Sequence, residues 1–342
     1  MKDSLNIAIA GATGYIGLEL VKILSKHPFV KIVFLCANKS IGKKINSFSK
    51  EINSKKLPKI SNIKSIDWKK IKIIFTALPN GEAQKIAKIT PDHVKIIDLS
   101  ADFRIKSLKD YKKWYGKDHP NKKLMDQSIY SITEFAKKKI KNYRIISCPG
   151  CYPTSVQLPL IPLIKKKMIK VNNITIDSKS GYSGAGKKIT NNKKRFNSIL
   201  NSISAYGVGS HRHMIEIDQE LSKIHGSKIM VSFTPHILPM FRGILSTIYL
   251  DTESGYDAKK IFNFLKKVHK NNLFIKFAKF NTPIGTIDAI NTNNCHISVC
   301  KNRKNTKVII ISAIDNLIKG GSGQAVQNMN VAFNLKEEIG LI

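Results

Sequence analysis

The sequence predicts an α/β protein: a Rossmann-type parallel-sheet domain, then an α+β domain with a mixed, largely antiparallel sheet. Three observations predict it. A strand, a glycine turn and a helix open the chain; apolar strand-like runs then alternate with helical or loop stretches; and beyond residue 151 the runs crowd together without room for crossover helices. At 342 residues with 42% hydrophobic content, the chain exceeds the usual single domain, so two are expected.

The first run, Asn6 to Ala10, leads through Gly11-Ala-Thr-Gly-Tyr-Ile-Gly17 into Leu18 to Ser25 at helical spacing. Further strands are expected at Lys31 to Ala37, Ile71 to Ala77, Val94 to Leu99 and Tyr143 to Ser147. Each is continuously apolar, as in a sheet covered on both faces. After Cys151 come a helix over Val156 to Lys167, a strand over Asn173 to Ser178, a glycine-rich loop from Gly181 to Gly186 and a polar basic stretch from Lys187 to Asn201. Strands follow at Lys228 to Thr234, Gly243 to Leu250, Cys295 to Cys300 and Val308 to Ala313, and a helical tail spans Gln324 to Leu335.

The formal net charge of +35 invites a nucleic-acid or membrane-surface reading. The charge is almost all lysine, spread along the chain, without the clustered arginine and interleaved aromatics of a nucleic-acid surface. No apolar run approaches the roughly 20 residues of a membrane helix. Five cysteines without a secretion signal suggest reduced thiols. The chain therefore reads as a cytoplasmic protein with a small-molecule substrate, no nucleic-acid or membrane partner and no metal.

Gly11, Gly14 and Gly17, at three-residue steps between strand and helix, let a pyrophosphate approach the helix N-terminus; a turn that needs glycine for purely steric reasons is the alternative. The second strand ends Leu35-Cys36-Ala37-Asn38-Lys39-Ser40, without the acid that usually binds a ribose 2′-hydroxyl, and Lys39 suits a 2′-phosphate. NADP is therefore expected over NAD. Cys151 lies where the fifth strand gives way to a helix, in a field that favours a thiolate; a small hydrophobe in the core is the alternative, and the adjoining Gly150 favours the thiolate. The Cys148-x-x-Cys151 spacing also admits a dithiol motif, but no second pair accompanies it for zinc. In the segment from Ser210 to Leu221, Ser210 is expected as N-cap and Met214, Ile217, Leu221 and Ile224 as a buried stripe. His213 and Glu216, three residues apart, share a face where the carboxylate can orient the imidazole for proton transfer; a solvated surface pair is the alternative.

Jointly these segments resemble the N-acetyl-γ-glutamyl-phosphate reductases, relatives of the aspartate-semialdehyde dehydrogenases. Besides the glycine turn, the matching motifs are Ala77-Leu-Pro-Asn-Gly81, Asp98-Leu-Ser-Ala-Asp-Phe-Arg104, Pro149-Gly-Cys-Tyr-Pro-Thr154, Ser183-Gly-Ala-Gly-Lys187, His211-Arg-His-Met-Ile-Glu216, Pro239-Met-Phe-Arg-Gly243, Asp315-Asn-Leu-Ile-Lys-Gly320 and Gln324-Ala-Val-Gln-Asn328. They run in the family's order over essentially the whole chain. Asn80, Cys148, Met214 and Gly321-Ser322 depart from the family's usual residues, and Cys148 raises the possibility of an inhibitory disulfide with Cys151.

The resemblance implies an NADP-binding Rossmann domain of residues 1–150 completed by 316–342. Residues 151–315 would form a catalytic, substrate-binding and oligomerisation domain like that of glyceraldehyde-phosphate dehydrogenases, in a homodimer or homotetramer. It implies NADPH-dependent reduction of N-acetyl-γ-glutamyl phosphate to N-acetyl-L-glutamate 5-semialdehyde and phosphate, a step of arginine biosynthesis. Cys151 is the nucleophile and His213, oriented by Glu216, the acid and base, a role His211 could exchange. Arg104, His211, Arg212, Arg242 and Ser183 are the expected substrate contacts, with structural ion pairing the alternative use of Arg104 and Arg242. The expected cofactor contacts are Gly11, Thr13, Gly14, Tyr15, Ile16, Gly17, Asn38, Lys39, Ser40, Pro79, Gly184, Gly186 and Asn316. Aspartyl and aminoadipyl phosphates are the competing substrates; the His-Arg-His helix favours the acetylglutamyl one.

Overall fold

The computed structural model of the chain describes residues 4–118, 122–187, 189–190 and 192–342, and of residue 195 the backbone alone. The chain divides into two compact units, Met1–Pro149 with Gly321–Ile342, and Gly150–Gly320.

The first unit runs β1 (Leu5–Ala10), α1 (Tyr15–Leu24), β2 (Val30–Cys36), β3 (Ile60–Ser61), β4 (Ile73–Thr76), α2 (Ala83–Ile89), β5 (Lys95–Asp98), α3 (Leu108–Tyr115), α4 (Lys122–Asp126), β6 (Ser128–Tyr130), α5 (Thr133–Ala136) and β7 (Ile145–Ser147). Its sheet has the order β3-β2-β1-β4-β5-β7-β6 with every pairing parallel, as the alternation of apolar runs and helices requires. Both faces are covered. Ile7 and Ile9 of β1 join one core cluster, with Leu20 and Val21 of α1, while Ala8 and Ala10 join a second, with Ala83 and Ile86 of α2. The order reverses between β1 and β4, so their carboxyl ends open the crevice where α/β sheets bind ligands.

The second unit runs α6 (Cys151–Lys165), β8 (Thr175–Gly181), α7 (Lys193–Leu200), β9 (Ser204–Ala205), α8 (His213–His225), β10 (Ser232–Leu238), β11 (Ile244–Asp251), α9 (Ala258–Val268), β12 (Ile275–Phe277), β13 (Cys295–Lys301) and β14 (Lys307–Ile314). Its sheet order is β12-β13-β14-β11-β8-β10-β9. Only β8–β10 and β12–β13 are parallel, so the sheet is mixed and largely antiparallel. Residues 318–322 then form a π-helical turn, and α10 (Gly323–Ala332) completes the first unit, its Ala325, Val326 and Met329 joining the α1-side core.

Several element boundaries differ from expectation. The strand expected over Lys228 to Thr234 begins at Ser232 and continues through Pro235 to Leu238. The short edge strand β9 pairs only with His236 and Ile237, and the Pro235 carbonyl accepts the Tyr206 N–H at 3.0 Å. A proline without a donor is tolerated there. Gly181, expected to start a loop, ends β8, while the basic stretch holds α7 and includes residues 188 and 191, outside the described set. α6 carries Pro159 and Pro162 in its interior. Proline at 162 leaves the Leu158 carbonyl without its helical donor, and the buried His269 stands 3.1 Å from that oxygen through Nε2.

Candidate active site

In the first unit, two of the three glycines of the opening turn are demanded by the protein itself. Gly11 has φ +84°, and a Cβ there would lie 2.2 Å from the Ala77 carbonyl oxygen; one on Gly17 would lie 2.1 Å from the Gly11 oxygen. Gly14 differs: its φ is −72°, and the nearest neighbour of a Cβ would be 3.6 Å away. Local sterics do not need a glycine at 14, whereas the close approach of a pyrophosphate does. Gly14 is also the N-cap of α1, with no side-chain cap and no acid in the first turn, so the N–H groups of Tyr15, Ile16 and Gly17 present positive potential to an anion. These residues fit a dinucleotide. After β2 the chain turns through Ala37 to Ser40, with the Ser40 N–H on the Ala37 carbonyl and Asn38 and Lys39 exposed.

Beside that turn, the loops leaving β4 and β5 carry Pro79 and Arg104. Arg104 is buried and its Nη2 donates to the Leu99 carbonyl at 3.1 Å. Cys148 is buried, burial pushes its thiol up to about 12, and the Asn328 amide lies 3.5 Å from its sulfur. A thiol so held stays protonated at neutral pH, which argues against the redox role its spacing suggests.

In the second unit, Cys151 is the first residue of α6, a 15-residue helix without an acid in its first turn, and its side chain is partly exposed. Two glycines frame it. A Cβ on Gly150 would lie 2.4 Å from His213 Nε2 and 2.7 Å from Cε1, so the imidazole rests on the backbone just before Cys151. A Cβ on Gly320 would lie 2.7 Å from that of Cys151, so the π-helical turn lies against the cysteine itself. Glu216, fully buried one turn along α8 from His213, accepts the Gly150 N–H at 2.7 Å. His213 and Glu216, three residues apart on α8, thus both meet the backbone of the cysteine turn.

Ser210 does not cap α8: its hydroxyl turns back toward the Val208 carbonyl, and the helix starts at His213. The acceptor at the helix start is His211 Nδ1, which takes the His213 N–H at 3.1 Å. Of the expected stripe, Ile217 and Leu221 are buried, Met214 is partly buried and Ile224 is exposed. The His211 ring lies among Tyr152, Tyr206, Phe233 and His213, with centroids 4.8 to 5.6 Å away. Burial, assisted by the Arg212 charge, lowers its pKa to about 4. His211 is therefore neutral at physiological pH, with one ring nitrogen already committed, while Arg212 itself is exposed. Tyr152, next to Cys151, is buried with its ring edge-on to His213, and its hydroxyl lies 3.0 Å from that of Tyr206.

The remaining predicted residues form a brace. Asn316 donates to Ser183 Oγ at 2.9 Å and accepts the Gly243 N–H at 2.7 Å, tying the Ser183–Gly184 turn to the loop entering β11. Gly186 follows with φ +74° and open space around it. Arg242 Nη1 pairs with the fully buried Asp315 at 3.1 Å, which is the structural ion pair foreseen as its alternative use. Asp315 also accepts the N–H groups of Leu317 and Ile318, and its carbonyl accepts that of Gly320, so it sets the π-helical turn. Sequence reasoning passed over Asp102, Tyr152, Tyr206 and Asp315. All but Tyr206 lie inside quoted motifs, where a cluster of titratable groups was the available signal.

Comparison with known proteins agrees with the two-domain fold. Residues 6–143 match the model of the semialdehyde dehydrogenase NAD-binding domain, and residues 151–316 that of the semialdehyde dehydrogenase dimerisation domain. Among solved structures, aspartate semialdehyde dehydrogenase II of Vibrio cholerae superposes with a TM-score of 0.74 at 20% identity, over 97% of this chain and 99% of that one. The Candida albicans aspartate semialdehyde dehydrogenase solved with NADP gives 0.71 at 16% identity, over 96% and 98%. At such identities the likeness shows the fold. Three curated relatives carry more. A probable chloroplastic N-acetyl-gamma-glutamyl-phosphate reductase of Arabidopsis thaliana is 40% identical over 100% of this chain and 85% of its own length. N-acetyl-gamma-glutamyl-phosphate reductases of Afipia carboxidovorans and Ehrlichia ruminantium (strain Gardel) are 41% and 43% identical, over all of this chain and 98% and 99% of theirs. With both domain models matched in order, and full-length identity well above what shared fold alone produces, the chain belongs to the N-acetyl-gamma-glutamyl-phosphate reductase family of the semialdehyde dehydrogenases.

Proposed function

We propose that this chain reduces N-acetyl-γ-glutamyl phosphate to N-acetyl-L-glutamate 5-semialdehyde and phosphate with NADPH, through a thioester on Cys151, as a step of arginine biosynthesis. The observation that carries the reading is the His213 imidazole resting on Gly150, beside a thiol at a helix N-terminus. A nucleophile and a proton carrier are thus held together by the backbone.

The Cys151 thiolate, favoured by the α6 N-terminus, attacks the acyl carbon, and the carbon–oxygen bond to phosphate breaks as phosphate leaves with the electron pair. The chemistry a bound NADPH supplies is hydride. His213 gives a proton to the oxygen of the resulting thiohemiacetal and takes it back as the carbon–sulfur bond breaks, returning thiolate and aldehyde. Glu216 holds the Gly150 N–H and so fixes the turn that presents the sulfur. His211, neutral and committed through Nδ1, positions His213. Gly14 and the first turn of α1 would hold the pyrophosphate, and the exposed Lys39, with no acid in its turn, favours NADP over NAD.

The chain also works as a homo-oligomer on this reading. The β11–β14 face turned away from α6 carries Leu245, Tyr249, Ile309 and Ile311, partly or well exposed, and the matched family model is named for dimerisation. Sedimentation equilibrium should find a dimer or larger assembly that Tyr249→Glu weakens; a monomeric wild-type chain contradicts this.

The substrate assignment is tested by following NADP+ reduction with N-acetylglutamate semialdehyde and phosphate, beside aspartate semialdehyde and beside NAD+. Turnover with the acetylated substrate and NADP+ is expected to dominate. Preference for aspartate semialdehyde, or for NAD+, overturns the corresponding part of the reading.

A further inference from the structure

The loop leaving β4 lies directly against the dinucleotide turn. The Ala77 N–H bonds the Ala10 carbonyl at 2.9 Å, and a Cβ on Gly11 would meet the Ala77 oxygen and, at 3.2 Å, a methyl of Leu78. What holds the far end of this loop is one carboxylate from the next crossover. Asp102, fully buried, accepts the Gly81 N–H through Oδ1 at 2.7 Å and the Gln84 N–H through Oδ2 at 3.1 Å. Tyr111 of α3 places its hydroxyl 2.9 Å from Asp102 Oδ1 and 2.7 Å from Asn80 Oδ1, bridging the carboxylate to the loop's own side chain. Asp102 is itself set by Ser100, whose Oγ accepts the Asp102 N–H and donates to Asp98. Gly81 sits at φ +91°, so the loop turns sharply at the point of attachment.

We propose that Asp102, with Tyr111, is a positioning residue for the cofactor: it latches the Ala77–Gly81 loop against the glycine turn and thereby sets the affinity for NADPH. The inference rests on the NADPH reading of that turn. A fully buried carboxylate is costly unless it is hydrogen-bonded, and a cap of two backbone N–H groups is the use the geometry shows for it. The loop lies at the carboxyl end of β4, beside that of β1, where the reversal of strand order opens the ligand crevice. A change of a few tenths of an ångström in its backbone alters the wall against which the dinucleotide packs.

Asp102→Asn keeps the side chain's shape but turns an N–H₂ group toward one of the two backbone donors. Tyr111→Phe keeps both backbone bonds and removes only the bridge to Asn80. Equilibrium titration of protein fluorescence with NADPH is expected to give a Kd raised about ten-fold or more in Asp102→Asn and about three-fold in Tyr111→Phe, from the loss of charge-assisted bonds. In turnover, KM for NADPH should rise by the same factors while KM for the acyl phosphate stays, a split that general loosening of the fold does not produce. The rate of Cys151 alkylation by iodoacetamide checks that each variant is folded. A folded Asp102→Asn with wild-type NADPH affinity overturns the inference. If Asp102→Asn does not fold, Tyr111→Phe decides alone, and an unchanged Kd there overturns it equally. Failure of the wild-type chain to bind NADPH defeats the cofactor reading instead.

Discussion

At the residue scale, the chemistry depends on what is missing from Gly150. Its backbone is ordinary, with φ −65° and ψ 159°, so any residue could adopt it; the constraint is the imidazole of His213 occupying the space a side chain would need. Gly150→Ala puts a methyl 2.4 Å from Nε2 and must push the ring aside. Turnover should fall at least about a hundred-fold, in line with the cost of displacing a catalytic group by about an ångström, while Cys151 still reacts with iodoacetamide. Steady-state kinetics showing near-normal kcat would remove His213 from its assigned place. Cys151 and His213 were legible as residue types at helix starts. The reason for Gly150 was not, since both groups that meet it, His213 and Glu216, lie more than sixty residues along the chain. Nor could the sequence separate His211 from His213. That distinction comes from burial among aromatic rings and from the commitment of one ring nitrogen to a backbone N–H.

At the scale of elements, three helical ends frame Cys151, the proposed nucleophile: the N-terminus of α6, the N-terminus of α8 and the π-helical turn at 318–322. The first two were visible as apolar periodicity following polar or glycine-rich segments. The π-helical turn was not, because a single widened turn leaves no periodic signal, although π-turns often mark functional positions. Strands of two or three residues, such as β3, β6, β9 and β12, escaped for the same reason. The register of β10 escaped because Pro235 reads as a strand terminator, and only the shortness of the neighbouring β9 makes it harmless. The two internal prolines of α6 show the converse. Local propensity argues against a helix there, yet the segment packs with α8 and the inner sheet face, and His269 meets the carbonyl that Pro162 leaves.

At the scale of the whole molecule, the fold class followed from the alternation of strands and helices before residue 150 and their crowding after it, and the two sheets bear this out. The charge of +35 carried little information about the fold, since it belongs to lysines dispersed along the chain. The proposed reaction turns on Cys151 carrying the acyl group. It is tested most directly by mixing the protein with N-acetyl-γ-glutamyl phosphate in the absence of NADPH, quenching in acid and mapping the modified peptide by mass spectrometry. An N-acetylglutamyl group on Cys151, absent when Cys151→Ser is treated in the same way, is the predicted result. Wild-type protein that turns over with NADPH yet shows no acyl group on Cys151, or a Cys151→Ser variant that retains turnover, would contradict it.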